Sequence, residues 1–119
     1  MKIIKTMEIP EIPNPHSVSV RALLANDQAQ FEYIQLQPGE ALKMHVTYTQ
    51  VYLYVLDGQG IVQAGGEEGE IAADMLVEIP PEIPHRLVQC GPGMLRLLNV
   101  KAPRALKATH LVAAEETQK

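Results

Sequence analysis

Histidine is the residue type in this sequence with the widest chemical range, and the chain has four of them. An imidazole can bind a transition metal, exchange hydrogen bonds or move a proton near neutral pH. His45 and His85 lie within short apolar runs, whereas His16 lies in a proline-rich segment and His110 lies near the end of the chain. We therefore predict that His45 and His85 carry the chemistry and that His16 and His110 are exposed.

The single cysteine, Cys90, is a weaker candidate for a chemical role than the histidines. It precedes a Gly-Pro-Gly turn, and no basic residue close in sequence would lower its pKa, so we interpret it as a buried, inert thiol. One cysteine forms no internal disulfide, which is compatible with a reducing compartment. The first ten residues also lack the basic and apolar regions of a signal peptide. We expect a cytoplasmic protein.

The sequence segments that must position these residues are predicted to be β-strands. Apolar residues come in short runs broken by glycine, proline and acidic residues, without a helical period, which is typical of an all-β sandwich or barrel. The predicted strands are Val18–Leu24, Gln30–Leu36, Leu42–Thr47, Val51–Leu56, Gly60–Ala64, Gly69–Ala72, Met75–Ile79, His85–Gln89 and Met94–Val100.

These strands divide the chain into three parts. We predict an extended, proline-bearing arm at 1–17, a β-barrel at 18–102 and a polar C-terminal tail at 103–119. The arm can pair along a sheet edge, either its own or that of a partner. The tail loses the alternation of the strands and is expected to be loosely held or a short helix.

Two segments of the predicted barrel resemble the two signature motifs of the cupin superfamily. In the first motif, Gly39, His45 and Gly58 fall on the family spacing, and in the second Pro80 and His85 do so. The resemblance covers roughly residues 18–101. It implies a double-stranded β-helix, the jelly-roll barrel of the cupins, with both imidazoles pointing inward.

The metal-binding cupins that these motifs describe present three histidines and a carboxylate, and this chain departs from that set. Thr47 takes the position of the second histidine and Val51 that of the carboxylate, with Gln50 one residue out of register. In the second motif, Glu82 replaces a glycine and Gln89 replaces an asparagine. Two of the four expected ligands are present.

Strand parity predicts which other side chains accompany the histidines. Residues two apart face the same side of a strand, so Thr47 accompanies His45, and Gln89 accompanies His85. An apolar interior with these few polar groups is typical of a ligand pocket. We predict that His45, Thr47, His85 and Gln89 contact a small-molecule ligand.

A divalent transition metal is the alternative occupant. Neutral imidazole suits Zn, Fe, Ni and Cu, and His45, His85 and an oxygen of Gln50 would be its protein ligands. A further alternative is that both imidazoles only hydrogen-bond within a polar patch of the core.

Three functions stay open: a binding module for a small molecule or metal ion, a metal-dependent enzyme of the dioxygenase or isomerase type, and a structural or interaction protein. We favour the binding module. The net charge of −4 and the absence of a basic block argue against nucleic acid, and no apolar run is long enough to cross a membrane. Tyr52 and Tyr54 should point outward and, with the arm, suggest a homodimer.

Overall fold

The computed structural model describes residues 1–105 and 108–112, and almost all of its regular structure is β-strand. A short 3-10 helix, Thr6–Glu8, precedes the strands. The strands are β1 (Ser19–Ala25), β2 (Gln30–Leu36), β3 (Ala41–Val46), β4 (Gln50–Asp57), β5 (Gln59–Ala64), β6 (Glu67–Ala72), β7 (Leu76–Ile79), β8 (His85–Cys90), β9 (Leu95–Ala102) and β10 (His110–Leu111).

The strands form two five-stranded antiparallel sheets. Sheet A has the order β1-β2-β9-β4-β7, and sheet B has the order β10-β3-β8-β5-β6. Chain neighbours such as β3 and β4 belong to different sheets, so the chain crosses between the sheets and encloses an interior. The predicted all-β, double-stranded β-helix is confirmed. The described part of the chain has no helix with the length and hydropathy needed to span a bilayer.

The interior follows from alternation along each strand. On β4, Val51, Leu53 and Val55 are almost fully buried, whereas the residues between them face outward. Inward-facing aliphatic side chains from both sheets form one contiguous core, as expected for packed sheets with a period of two residues. The core residues are Val20, Ile34, Leu36, Leu42, Val51, Leu53, Val55, Val62, Ile71, Ile79, Leu87, Leu95 and Leu97.

All nine predicted strands form, and their ends differ from the predicted ends by two residues at most. β10 is an addition, because two residues are too short to show a pattern in the sequence. It lies in the predicted tail and pairs with β3, opposite Val46 and His45. Residues 106, 107 and 113–119 of that tail lie outside the described residues.

The turn between β4 and β5 requires glycine. Gly58 has a φ of +90°, and a Cβ built on it would lie 2.3 Å from the carbonyl oxygen of Met94. Backbone thus approaches backbone where a side chain would stand, which only glycine allows. Gly58 was identified in the sequence as a position of the first motif, and the close approach of the Met94 segment gives the physical reason for the glycine.

Candidate functional site

His45 and His85 face each other inside the barrel. β3 and β8 pair so that the two residues lie directly opposite one another, and their ring centroids are 4.1 Å apart. Both side chains are buried, with 7% of His45 and 4% of His85 exposed. Residues 40 positions apart in the sequence thus share one site through the pairing of two neighbouring strands.

A β-bulge in β3 brings His45 to the interior face. Leu42 pairs with Leu87 and His45 pairs with His85, so three steps along β3 match two steps along β8. In a regular strand, residues three apart would face opposite sides of the sheet. The extra residue lets Leu42 and His45 both be buried, and the peptide groups of Lys43 leave the regular ladder.

Both imidazoles are held in one tautomer. The Nδ1–H of His45 donates to the carbonyl oxygen of Lys43 at 2.6 Å, and that of His85 donates to the carbonyl oxygen of Ile83 at 2.8 Å. A carbonyl only accepts, so in the neutral ring the proton lies on Nδ1 and Nε2 keeps its lone pair. The two Nε2 atoms are therefore acceptors or metal ligands.

Burial keeps these rings neutral. Desolvation, followed by the charge of the neighbouring His85, lowers the pKa of His45 from 6.5 to about 3. Desolvation is also the main cause that lowers the pKa of His85, and the charge of Lys101 lowers it further. The hydrogen bond to the Ile83 carbonyl acts in the opposite direction and raises that pKa. Near neutral pH the site therefore presents two uncharged imidazoles.

A third imidazole joins them, contrary to the expectation that His16 is exposed. The ring of His16 lies edge-on to His45, with 4.7 Å between centroids, and its Nδ1 accepts the Lys43 N–H at 2.8 Å. In the neutral ring its Nε2 therefore carries the proton and is a hydrogen-bond donor group, unlike the Nε2 of His45. Desolvation and Lys43 lower the pKa of His16 to about 4.

The arm brings His16 to this place through Asn14. The Asn14 side chain donates to the carbonyl of Val18 at 2.8 Å and accepts the N–H of His16 at 3.1 Å, which closes a compact loop. The arm also pairs with its own barrel, because the Ile12 N–H donates to the carbonyl of Val20 at 2.9 Å. Tertiary contacts place His16, so no local pattern in the sequence could have identified it.

A polar wall from sheet A completes the site and was also missed. Asn99 lies opposite Glu32 in the β2–β9 pairing, and its Nδ2 donates to the Glu32 carboxylate at 3.1 Å. Lys101 lies 3.5 Å from the same carboxylate. The alternation of inward and outward residues could have identified this wall in the sequence. Glu32 shares a face of β2 with the core residue Ile34, and Asn99 and Lys101 share a face of β9 with the core residue Leu97.

Of the three remaining predicted site residues, Thr47 lines the interior of the barrel, and Gln89 and Gln50 do not. Thr47 is 2% exposed and lines the interior, as predicted. Gln89 is buried but holds the turn after β8, where its Nε2 donates to the carbonyls of Cys90, Gly91 and Gly93. Gln50 alternates with the inward-facing Val51 and does not line the cavity between the histidines and the arm.

The space between these side chains consists of two adjoining chambers. The inner chamber, of about 20 Å³, is lined by both His45 and His85. The outer chamber, of about 100 Å³, reaches His16 and the arm. The two share Leu42, His45, Thr47 and Asn99. The inner chamber is large enough for one water-sized group, and the outer one for a small organic molecule.

The residues fit a metal ion only in part. Two neutral imidazoles whose Nδ1–H groups are fixed by carbonyls are arranged as metal-bound histidines usually are. However, no group of three or more His, Cys, Asp or Glu side chains within residues 1–105 and 108–112 could hold a metal ion. His16 presents a protonated nitrogen, so it does not complete the set. The three-histidine, one-carboxylate site of metal-binding cupins is not formed.

Comparison with known proteins agrees with this architecture. The Cupin domain family matches residues 32–101, which is more than half of the chain. An uncharacterized protein of Methanocaldococcus jannaschii is 31% identical over 62 residues, and that match spans about half the length of each protein (52% of this chain and 49% of the relative).

Two solved structures are similar over nearly their whole length. TT1209 from Thermus thermophilus has a TM-score of 0.72 and 28% identity, and the alignment covers 87% of this chain and 99% of that one. The polyketide cyclase RemF from Streptomyces resistomycificus has a TM-score of 0.80 and 19% identity, with 100% and 94% covered. At that identity the cyclase shows the fold alone. Because the family matches residues 32–101, which include most of the barrel, this chain belongs to the cupin family.

Proposed function

We propose that this protein binds a small organic molecule inside the barrel, in contact with His45, His85 and Thr47. The observation that carries the proposal is the pair of neutral imidazoles 4.1 Å apart, whose Nε2 atoms are available beside a cavity. Apolar walls with a few convergent polar groups are typical of ligand sites. Buried polar atoms are almost always hydrogen-bonded, and because the Nδ1–H groups use backbone carbonyls, each unprotonated Nε2 is left as an acceptor for a ligand.

A fragment screen by ¹H–¹⁵N NMR tests this proposal. We expect at least one class of small polar fragment to shift the amide signals of Leu42, His45 and Thr47, and His45→Leu or His85→Leu to abolish those shifts. His110→Leu is the matched control, because His110 is exposed and lines neither chamber. A screen in which no fragment perturbs these signals contradicts the proposal.

A divalent transition metal is the second candidate, favoured by the Nδ1–H···O=C geometry of both imidazoles. Zn, Fe, Ni or Cu would be held by His45 and His85, with water completing the shell. Metal analysis of protein purified without chelators or affinity tags tests this. Stoichiometric metal that is lost in His45→Ala and His85→Ala but kept in His110→Ala supports it, and metal-free protein excludes it.

An enzyme of the dioxygenase or isomerase type is the alternative function. It depends on the metal, because the described residues near the imidazoles include no nucleophile arranged with a base. A bound metal would supply oxygen activation or carbonyl polarisation. Turnover assays of the metal-loaded protein with oxygen and small phenolic or cyclic substrates distinguish enzyme from binder.

We also propose that the protein is a homodimer. Tyr54, Leu56, Met75 and Leu76 form an exposed apolar patch, the β4–β7 patch, on or beside the outer face of β4 and β7, with 63% of Leu76 exposed. Such a patch beside a terminal strand of a sheet is a common subunit contact. The arm pairs with its own barrel through Ile12 and Val20, so we propose the β4–β7 patch, rather than the arm, as the contact surface.

A cytoplasmic location is proposed on the single cysteine. Cys90 is the only one in the chain and is unpaired, which suits a reducing compartment. Fractionation of cells producing the protein tests this, and recovery from an oxidising compartment would contradict it.

A further inference from the structure

One buried polar atom in the cavity wall lacks a partner. Asn99 is 8% exposed, and its Oδ1 has no hydrogen-bond partner among the described residues. Its orientation is fixed by chemistry, because Nδ2 faces the carboxylate of Glu32, which only accepts hydrogen bonds. Asn99 lines both chambers. An unsatisfied acceptor there is costly unless a bound molecule donates to it.

Asn99 Oδ1 is one of three hydrogen-bond acceptors on residues that line the inner chamber. The Nε2 atoms of His45 and His85 are acceptors, because both Nδ1–H groups are engaged with carbonyls. Both rings line the inner chamber together with Asn99. The three residues that carry these acceptors come from two sheets and line a space the size of one hydroxyl group or water molecule.

The charges around the cavity do not favour an anion. Lys101, the half-buried cation of the outer chamber, already pairs with Glu32 at 3.5 Å, and their side chains are 15% and 20% exposed. Arg86 reaches the inner chamber but is exposed, so water screens its charge. A carboxylate in the inner chamber would direct its lone pairs at three other acceptors.

We propose that the ligand of this site is a small uncharged molecule bearing a hydroxyl group, which donates its single O–H proton to Asn99 Oδ1 from within the inner chamber, beside the imidazoles of His45 and His85. Its carbon body occupies the outer chamber, against Leu42 and the arm. The proposal rests on the proposed function and adds the class of ligand and Asn99 as a binding residue. Neither cupin motif contains Asn99.

Three probes of similar size test the class: phenol, which donates; anisole, which only accepts; and benzoate, which is an anion. Each is titrated into EDTA-treated protein near neutral pH and followed by ¹H–¹⁵N NMR. Phenol should bind with a millimolar Kd, as expected for so few atoms, and about tenfold more tightly than the other two probes. The Asn99 side-chain amide signals should shift with phenol alone.

Asn99→Leu removes the acceptor while keeping the bulk, and should reduce the preference for phenol over anisole at least about threefold. Gln37→Leu is the control, because it removes an amide at an exposed position outside both chambers and should keep the preference. If Asn99→Leu fails to fold, contacts between phenol protons and the Leu42 methyl groups in the wild-type protein provide the readout.

The outcomes separate this inference from the broader function. Binding of anisole or benzoate as tight as that of phenol overturns the inference and leaves small-molecule binding in place, and it indicates that water satisfies Asn99. Perturbation of the cavity by none of the probes overturns the inference. A fragment screen that also fails then contradicts the proposed function.

Discussion

At the scale of single residues, the site depends on which ring nitrogen carries the proton. The backbone of Lys43 contacts two imidazoles, because its carbonyl accepts from His45 and its N–H donates to His16. The two rings therefore present opposite Nε2 polarities within one cavity. A side chain's type is visible in the sequence, but its tautomer is not, since it depends on a backbone partner.

Stability should fall as pH is lowered. The folded-state pKa values of His45 and His16 are about 3 and about 4, against an ordinary value of 6.5. The unfolded chain therefore binds protons first, and stability is complete above pH 6.5 and is lost toward pH 3 to 4. The slope is at most about 1.4 kcal/mol per pH unit for each histidine.

Urea unfolding of metal-free protein across this range measures the slope. His16→Gln should reduce it, because Gln does not titrate, while the control Gln37→Leu, an exposed substitution that removes no titratable group, should keep it. Stability independent of pH across this window would show that the imidazoles are not desolvated as described.

Gln89 was expected to contact a ligand, whereas in the structure its amide organises a turn. Its Nε2 donates to three carbonyls at 2.6–2.9 Å, and its Oε1 accepts the Gly39 N–H at 3.2 Å. Gln89→Leu should lower the free energy of unfolding by about 1–3 kcal/mol and leave probe affinity unchanged. Chemical denaturation measures the first effect and NMR titration the second, with exposed Gln28→Leu as control. A lost affinity without lost stability would return Gln89 to the ligand site.

At the scale of elements, alternation and turn residues were enough to predict nine strands. Val51, Leu53 and Val55 carry the period-two pattern directly, so β4 could be placed from the sequence. The bulge in β3 could not, because it is defined by pairing with β8. The placement of His16 depends on arm-to-barrel hydrogen bonds that no local pattern encodes.

The β4–β5 turn gives a sharp stability prediction. Gly58→Ala should destabilise the fold by several kcal/mol, because the added Cβ would meet the Met94 carbonyl oxygen at 2.3 Å in addition to the strain at a φ of +90°. Gly39→Ala is the matched control, with a φ of +88° and nothing within 4 Å of its Cβ. Thermal unfolding should show a much smaller loss for the control, of about 1 kcal/mol. Equal losses would mean that backbone strain alone explains both.

At the scale of the whole molecule, two distant parts of the chain meet at one opening of the barrel. His16 comes from the arm, and Thr109 comes from the segment before β10, where its Oγ1 lies 3.4 Å from that of Thr47. The motifs predicted the barrel and its inner imidazoles because they encode local turns and strands. The outer chamber could not be predicted, because it forms only when both segments fold back.

The β4–β7 patch gives a prediction for the assembled molecule. Leu76→Lys places a charge on the proposed dimer contact and should convert a dimer to a monomer, because charged groups are costly in a buried apolar interface. Light scattering measures the mass. Glu78→Lys, farther along the same strand, is the charge control and should stay dimeric. A wild-type protein that is already monomeric would contradict the proposed homodimer.

Because of the extra residue in β3, the tautomer of His45 can change without a change in the architecture of the barrel. Excising Met44 would let β3 run in step with β8, and the imidazole of His45, now two positions after Leu42, would still face inward. The N–H and carbonyl of Lys43 would then follow a regular strand and would no longer be positioned to bond to His16 and His45. Such a shortened chain should still unfold cooperatively, while the ¹⁵N shifts of its imidazoles should report a mixture of tautomers. Deleting one codon would thus change what the cavity accepts without emptying it, a short evolutionary route between binding specificities on one scaffold.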